Sequence, residues 1–272
     1  MPELSNDPPR PTPGIDTSVA HSARMWNYWL GGKDNYPADR QAGDQFREQF
    51  PDIVRIAQLS RHLLARIVRH LAGEAGIRQF LDIGTGLPTM DNTHELAQRA
   101  APESRVVYVD NDPLVLAHAR ALLIGTPEGA TDYIDADLHD PDTILAGAAR
   151  TLDFQRPVAL MLMGIVGYVS DADGPHTIVK RLMDALPSGS HLALWDGINL
   201  VTGAALDQAQ EDYNQSGAVP YNLRSPEEFT AFFDGLRLVE PGVVSLPKWR
   251  PDPDPFGSLD DVDALCGVAR KP

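Results

Sequence analysis

The sequence predicts an α/β fold: a doubly wound, mostly parallel sheet of seven strands with an antiparallel last strand, preceded by an N-terminal helical extension. Three observations predict it. From residue 77 to residue 197, short apolar segments alternate with amphipathic ones at the pitch of βαβ units with right-handed crossovers. Near the C-terminus, two apolar stretches follow each other with no helix between them, which calls for antiparallel pairing. From about residue 18 to 74 the signals are helical.

In chain order, "SVAHSARMWNYWLGG" reads as a helix stopped by Gly31 and Gly32. "PDIVRIAQLSRHLLARIVRHLAGEAG" opens on Pro51 and sets Ile53, Ile56, Leu59, Leu63, Leu64, Ile67 and Leu71 on one face. The first strand is "IRQFLDIG", followed by the helix "THELAQRAA" and the strand "SRVVYVD", which ends in Asp110. "DPLVLAHARALL" is a helix with Asp112 as its cap and Pro113 in its first position. The third strand is "ATDYIDAD", and Asp140-Pro141 starts the next helix. "RPVALMLMG" is apolar throughout, as the buried middle of a parallel sheet should be. The helix "PHTIVKRLMDAL" and the breaker "PSGS" lead to the fifth strand, "HLALWDG". "SPEEFTAFF" carries a capping box from Ser225 to Glu228. "RLVEPGVVSL" and "ALCGVARK" are the closing hairpin, joined by a long loop. The expected organisation is a proline-rich, disordered tail over 1–16, a helical cap over 17–76 and a sheet domain over 77–272.

The 272 residues are 43% apolar, enough for one sizeable α/β domain. A net charge of −15 argues against a nucleic-acid partner, because phosphate binding needs basic patches, and against an anionic membrane surface. No apolar run reaches the roughly 20 residues of a membrane span. The polar start is no signal peptide, so the chain reads as cytoplasmic. The single cysteine, Cys266, allows neither an internal disulfide nor a cysteine-based zinc site.

"FLDIGTGLPT", residues 80–89, is a strand running into a glycine turn. The dinucleotide fingerprint finds Gly84 and Gly86 there, but a β-branched Thr89 where its third glycine belongs. A P-loop would need a lysine, and the turn has none. S-adenosylmethionine carries no pyrophosphate. It offers an ammonium and a sulfonium, and Asp82 can answer that charge directly or through water. Gly84 and Gly86, on either side of Thr85, let the backbone come close to a ligand. Taken alone, the turn reads equally as a simple chain reversal with Asp82 as a cap. Two more strand ends favour the cofactor. Asp110, beside Asn111, can take both ribose hydroxyls, somewhat beyond the usual interval of about 20 residues. Asp137, beside Leu138, ends the third strand, where the adenine amine needs an acceptor. Singly, Asp110, Asn111 and Asp112 read as turn and cap residues. Three acids at three successive strand ends predict S-adenosylmethionine.

The blocks "RMWNYWLGGKDNYPADR", "QFLDIGTGLPTMDNTHELAQ", "RVVYVDNDPLVLAHARALL" and "LVEPGVVSLPKWRPD" resemble the actinobacterial S-adenosylmethionine-dependent methyltransferase family long known only as a domain of unknown function. The resemblance runs from about residue 17 to the C-terminus. Its most specific element, "YWLGGKDNYPADR", is missing from general class I methyltransferases. It implies the Rossmann-like class I methyltransferase fold and methyl transfer to an unassigned small-molecule acceptor. It also implies Asp82, Gly84 and Gly86 as the cofactor turn, Asp110 as the ribose acid and Asp137 as the adenine contact. One departure stands out. Similar proteins often carry a histidine after the fourth strand, in a segment like "LHFV", where this chain has "VGYVSD" with Gly167 and Tyr168.

Methyl transfer is a displacement at a sulfonium, so the protein mainly positions the acceptor and excludes water. A base is needed only when the acceptor must lose a proton. Tyr168 follows the fourth strand and would orient the acceptor, or simply pack there. Asp196 ends the fifth strand, near the same pocket, or is a turn acid. Tyr28, Lys33, Asp34 and Asn35 in "NYWLGGKDNY" are expected to face the ligand. The other reading makes Trp26 and Trp29 packing anchors and "KDN" a solvated turn. None of the eight histidines has metal-ligand spacing, and only His139 is a weak pocket candidate. "INLVTGAALDQAQEDYNQSGAVPYNLR", with Tyr213 and Tyr221, is an acceptor lid or a surface helix and loop. The competing functions are a non-catalytic S-adenosylmethionine sensor and a nicotinamide oxidoreductase, which Thr89 and the antiparallel end disfavour. The oligomeric state is left open.

Overall fold

The computed structural model describes residues 16–88, 91–122, 125–254 and 257–272. The expected tail lies outside this range except for Asp16, and so does Thr89. Alternating apolar strands make the sheet: β1 (Gln79–Ile83), β2 (Arg105–Asp110), β3 (Ala130–Asp135), β4 (Ala159–Met163) and β5 (His191–Gly197). These five are parallel, in the order β3-β2-β1-β4-β5. Leu81 pairs with Val107 on one side and Leu160 on the other. β1 and β4 are buried along nearly their whole length because helices cover both faces.

The closing strand β8 (Ala264–Arg270) runs antiparallel to β5. On its other edge, "RLVEPGVVSL" does not form one strand. It is broken into β6 (Arg237–Leu238) and β7 (Val244–Ser245), both antiparallel to β8. Pro241 has no N–H to give the ladder, and Gly242 takes a left-handed φ of 89°. β8 alone therefore runs against the other strands.

Helix α1 (Ser22–Trp29) begins later than the sequence suggests, because the His21 ring caps it by accepting from the Ala23 N–H at 3.3 Å. Helix α2 (Pro37–Gln49) absorbs "PAD" into its first turn. Asp39 there accepts from the Tyr36 N–H at 2.8 Å and the His21 N–H at 2.9 Å, which ties α2 to the start of α1. Helix α3 (Ile53–Arg69) starts after Pro51, and its predicted apolar face is buried. The remaining helices are α4 (Thr93–Ala100), α5 (Pro113–Leu122), α6 (Pro141–Ala148), α7 (Pro175–Asp184), α8 (Ala204–Asn214) and α9 (Pro226–Thr230). The Asp112 cap and the Ser225–Glu228 capping box form as expected, with Leu114 N–H on Asp112 at 2.8 Å and Glu228 N–H on Ser225 at 3.2 Å.

Successive strand residues point to opposite faces, so the sheet divides two cores. Phe80, Val106, Met161 and Ala193 pack with α1, α2 and α3. Leu81, Val107, Leu160 and Leu192 pack with α6, α7 and the Phe229–Phe233 segment. Each fully buried Leu, Ile or Phe contributes about 1.5–3 kcal/mol. Because strand order reverses between β1 and β4, their carboxyl ends diverge and open a crevice, where doubly wound sheets bind ligands.

Candidate functional site

The crevice is a cleft of about 1210 Å³ along the carboxyl edge of the sheet. Its floor is contributed strand by strand: Ala136–His139 after β3, Asp110 and Asn111 at β2, Gly84–Gly86 after β1, Met163–Ile165 at β4 and Trp195 on β5. Gly84 has a φ of 72°, and a Cβ there would fall 2.4 Å from Ile165 Cγ1. No other residue fits without moving the β4 end.

The acids hold the turn as well as line it. One Asp110 oxygen accepts from the Gly86 N–H at 2.8 Å, the other from the Asp112 N–H at 3.0 Å. Burial raises its carboxyl above the ordinary range, against the pull of those two bonds. Asn111 donates to Asp137 at 2.8 Å. Burial also works against charge on Asp137, but hydrogen bonds from His139 and Asn111 prevail and hold its carboxyl low. Asp82 is placed differently. It lies beneath the turn, accepts from Thr93 Oγ1 at 2.6 Å and opens onto a neighbouring hollow of about 320 Å³. Burial pushes its carboxyl up to about 6, with Thr93 and the Arg61 charge opposing.

A family model described as S-adenosyl methyltransferase matches residues 9–272. The chain belongs to that family. Its cofactor is S-adenosylmethionine and its reaction is methyl transfer. The methyltransferase is 48% identical to a DUF574 family protein from Streptomyces avermitilis MA-4680, with a TM-score of 0.91 over 94% of this chain and 99% of that one. It is 41% identical to a protein from Thermobifida fusca YX, provisionally assigned as a methyltransferase, with a TM-score of 0.86 over 95% and 97%. No curated protein matches the chain.

Other cleft residues of the methyltransferase were not singled out as ligand-facing from its sequence. His21, Trp26, Asn27 and Leu30 enter from α1, and Ser60 and Arg61 from α3. His21 Nδ1 stands 3.0 Å from Asp112, the cap of α5. Arg61 is a cation at the cleft, where it also donates to the Asp91 carbonyl at 2.8 Å. The polar pair Ser60-Arg61 inside an apolar helix face was the available signal.

Four expected ligand contacts lie apart from the cleft. The Tyr28 hydroxyl donates to Asp44 at 2.8 Å, which turns the side chain toward α2. Lys33 is exposed on the loop. Asn35 is buried within its own turn, donating to Asn27 at 2.9 Å and to the Gly32 carbonyl at 3.0 Å. Asp34 also lies outside the cleft, its N–H on Asn27 at 3.0 Å.

Tyr168, on the turn Val166–Tyr168 after β4, does line the cleft. Burial pushes its phenol up to about 12, with Ser22, Trp26 and Tyr213 facing the hydroxyl. Tyr168 also lines a second cavity of about 580 Å³, and Ser22, Trp26 and Trp195 are likewise common to both. Asp196 lies buried behind this cavity and accepts from the Tyr221 hydroxyl, which itself accepts from the Gly197 N–H at 2.8 Å. Burial pushes the Asp196 carboxyl up to about 6, against Tyr221 and the Arg224 charge. Among the described residues no His, Cys, Asp or Glu cluster suits a metal ion.

Proposed function

We propose that the chain methylates a small organic molecule, with S-adenosylmethionine held along the carboxyl edge of the sheet. One observation carries this reading: Asp110 from β2 and Asp137 after β3 line the cleft beside the turn after β1, where Gly84 leaves room only for backbone. Gly84, Thr85 and Gly86 would hold the cofactor through their backbone, Asp110 and Asn111 its ribose, and Asp137 and Leu138 its adenine. Arg61, at the cleft, would face its carboxylate, and Asp82 its ammonium, through water because Thr93 covers it. The donor set fits the group, since it has no lysine for a pyrophosphate and an excess of anions for a cationic ligand.

When bound, the cofactor supplies an electrophilic methyl group and a sulfur leaving group. The chain's task is then to position the acceptor and exclude water. Trp26, Tyr168 and Trp195 wall the β4–β5 end for that purpose. Tyr168 keeps its proton at neutral pH and so orients by donating. Asp196, a buried carboxylate behind the second cavity, is able to take a proton, and Tyr221 stands in front of it. The acidic charge supports a small acceptor over a nucleic acid. No described helix is long and apolar enough to cross a membrane. A cytoplasmic setting belongs to the same proposal.

Calorimetric titration with S-adenosylmethionine tests the reading, with NADH as control and Asp110→Asn as variant. The native chain should bind, and the variant should bind roughly tenfold or more weakly. Binding of NADH in place of S-adenosylmethionine would sink the assignment of the cleft.

A further inference from the structure

The second cavity is built largely from elements outside the parallel wind, set against Trp195 and Gly197 of β5. Trp26 and Trp29 come from α1, Phe46 from α2, Ile53 and Ile56 from α3, and Leu206 and Tyr213 from α8. The rings meet edge to face: Trp26 with Trp195 at 5.7 Å, Phe46 with Tyr213 at 5.9 Å and Tyr168 with Tyr221 at 4.8 Å. Such edges and faces offer an apolar, ring-shaped ligand more contact than an aliphatic wall of equal area. The space among these rings is about 580 Å³, part of it open to solvent.

Charge is present but already committed. Asp263, the one acidic residue on the lining, accepts from the N–H groups of Leu200, Val201 and Thr202 at 2.8, 2.6 and 3.1 Å, and from Thr202 Oγ1 at 2.5 Å. Asp196 is taken by Tyr221. Arg224 is spent on the carbonyls of Val166 and Val169 and on Asp171. Gln210 donates to Asn214 at 2.9 Å. A charged ligand group buried here would lose water without gaining an oppositely charged partner. The wall shared with the cleft, made by Ser22, Trp26, Tyr168 and Trp195, puts an occupant next to the end of the cleft beyond β4.

We infer that this cavity is the acceptor site and that it takes an uncharged, ring-bearing, mainly apolar small molecule. The inference rests on the methyl-transfer reading above, and its test separates the two. The neutral fluorophore N-phenyl-α-naphthylamine is titrated into the native chain, then displaced with β-naphthol, β-naphthoate or β-naphthylmethylammonium. The neutral naphthol should displace it roughly tenfold better than either ion. A Leu206→Trp variant, which fills the cavity from α8, should lose the fluorophore by a similar factor. Leu238→Trp, on exposed β6, should not. Calorimetry with S-adenosylmethionine on the same samples shows that each is folded. Failure of the native chain to bind the cofactor would count against the methyl-transfer reading. Cofactor binding with no fluorophore binding, or with the ammonium as the best competitor, would overturn the acceptor inference alone. The competitor series uses only the native chain, so a misfolded Leu206→Trp does not blunt it.

Discussion

The cleft and the aromatic cavity share four wall residues and are otherwise made by opposite means. In the cleft, the acids sit at or just past the end of a strand, so ladder register fixes their place: Asp110 ends β2 opposite Asp135 of β3, and Asp137 follows two residues on. In the cavity, rings arrive from α1, α2, α8 and the turn after β4 to meet Trp195 of β5, and packing on one another places those that no strand carries. Backbone hydrogen bonding positions a group through its neighbours in sequence. Side-chain packing positions it through neighbours far away.

Substitutions can break this contrast from either side. The largest effect is expected at Gly84→Val. The turn there is left-handed and Ile165 occupies the Cβ position, so unfolding should cost about 4 kcal/mol less, with cofactor binding lost. An unchanged urea midpoint would show that the cleft floor has slack. Next comes Asp196→Asn on the cavity side. Burial raises Asp196 from 3.8 to about 6, so the folded chain keeps a proton that the unfolded chain releases in that interval. Its stabilising contribution is complete below the unfolded value and lost as pH rises through about 6. Relative to the native chain, the variant should therefore gain up to about 3 kcal/mol between about pH 4 and 7, read as the difference in unfolding free energy. A difference that does not change with pH would mean that solvent reaches the carboxylate.

Gly167→Ala should cost about 2 kcal/mol, because the new methyl would lie 2.3 Å from the Tyr221 ring. Fluorophore binding should weaken while cofactor affinity holds; loss of both would show that the two sites are mechanically one. The smallest effect is expected at Lys33→Ala, within about 0.5 kcal/mol of stability and with no change in cofactor affinity. A clear loss of affinity would bring the "KDN" loop back to the ligand.

Nearly the whole order of strands and helices could be read from the sequence, since each βαβ unit announces itself by apolar period and by caps such as Asp112 and Ser225. The break between β6 and β7 was written there too, in Pro241 and Gly242, but the apolar residues on either side masked it. Within the site, the glycine turn and its acids were legible because they adjoin strands. Arg61 and Asn27 were not, since only the docking of α1 and α3 brings them to the cleft. "YWLGGKDNYPADR" was legible as a block but not as a contact map. Asn27 and Asp39 hold it together, while Tyr28, Lys33 and Asn35 turn away. The Gly167 departure has a steric account: the Tyr221 ring fills the space a side chain there would take.

Helices α1, α2 and α3 close the same interior as Phe80, Val106 and Ala193 of the sheet. Recombination sees such an interior differently from point mutation. A crossover near residue 76 would give each descendant half of an interior shaped for another partner, and most such hybrids would fail before their chemistry could be tried. If the cavity holds the acceptor, a new preference is therefore more readily inherited one side chain at a time, through positions such as Phe46, Leu206 and Tyr213, than by exchanging the whole N-terminal segment between lineages.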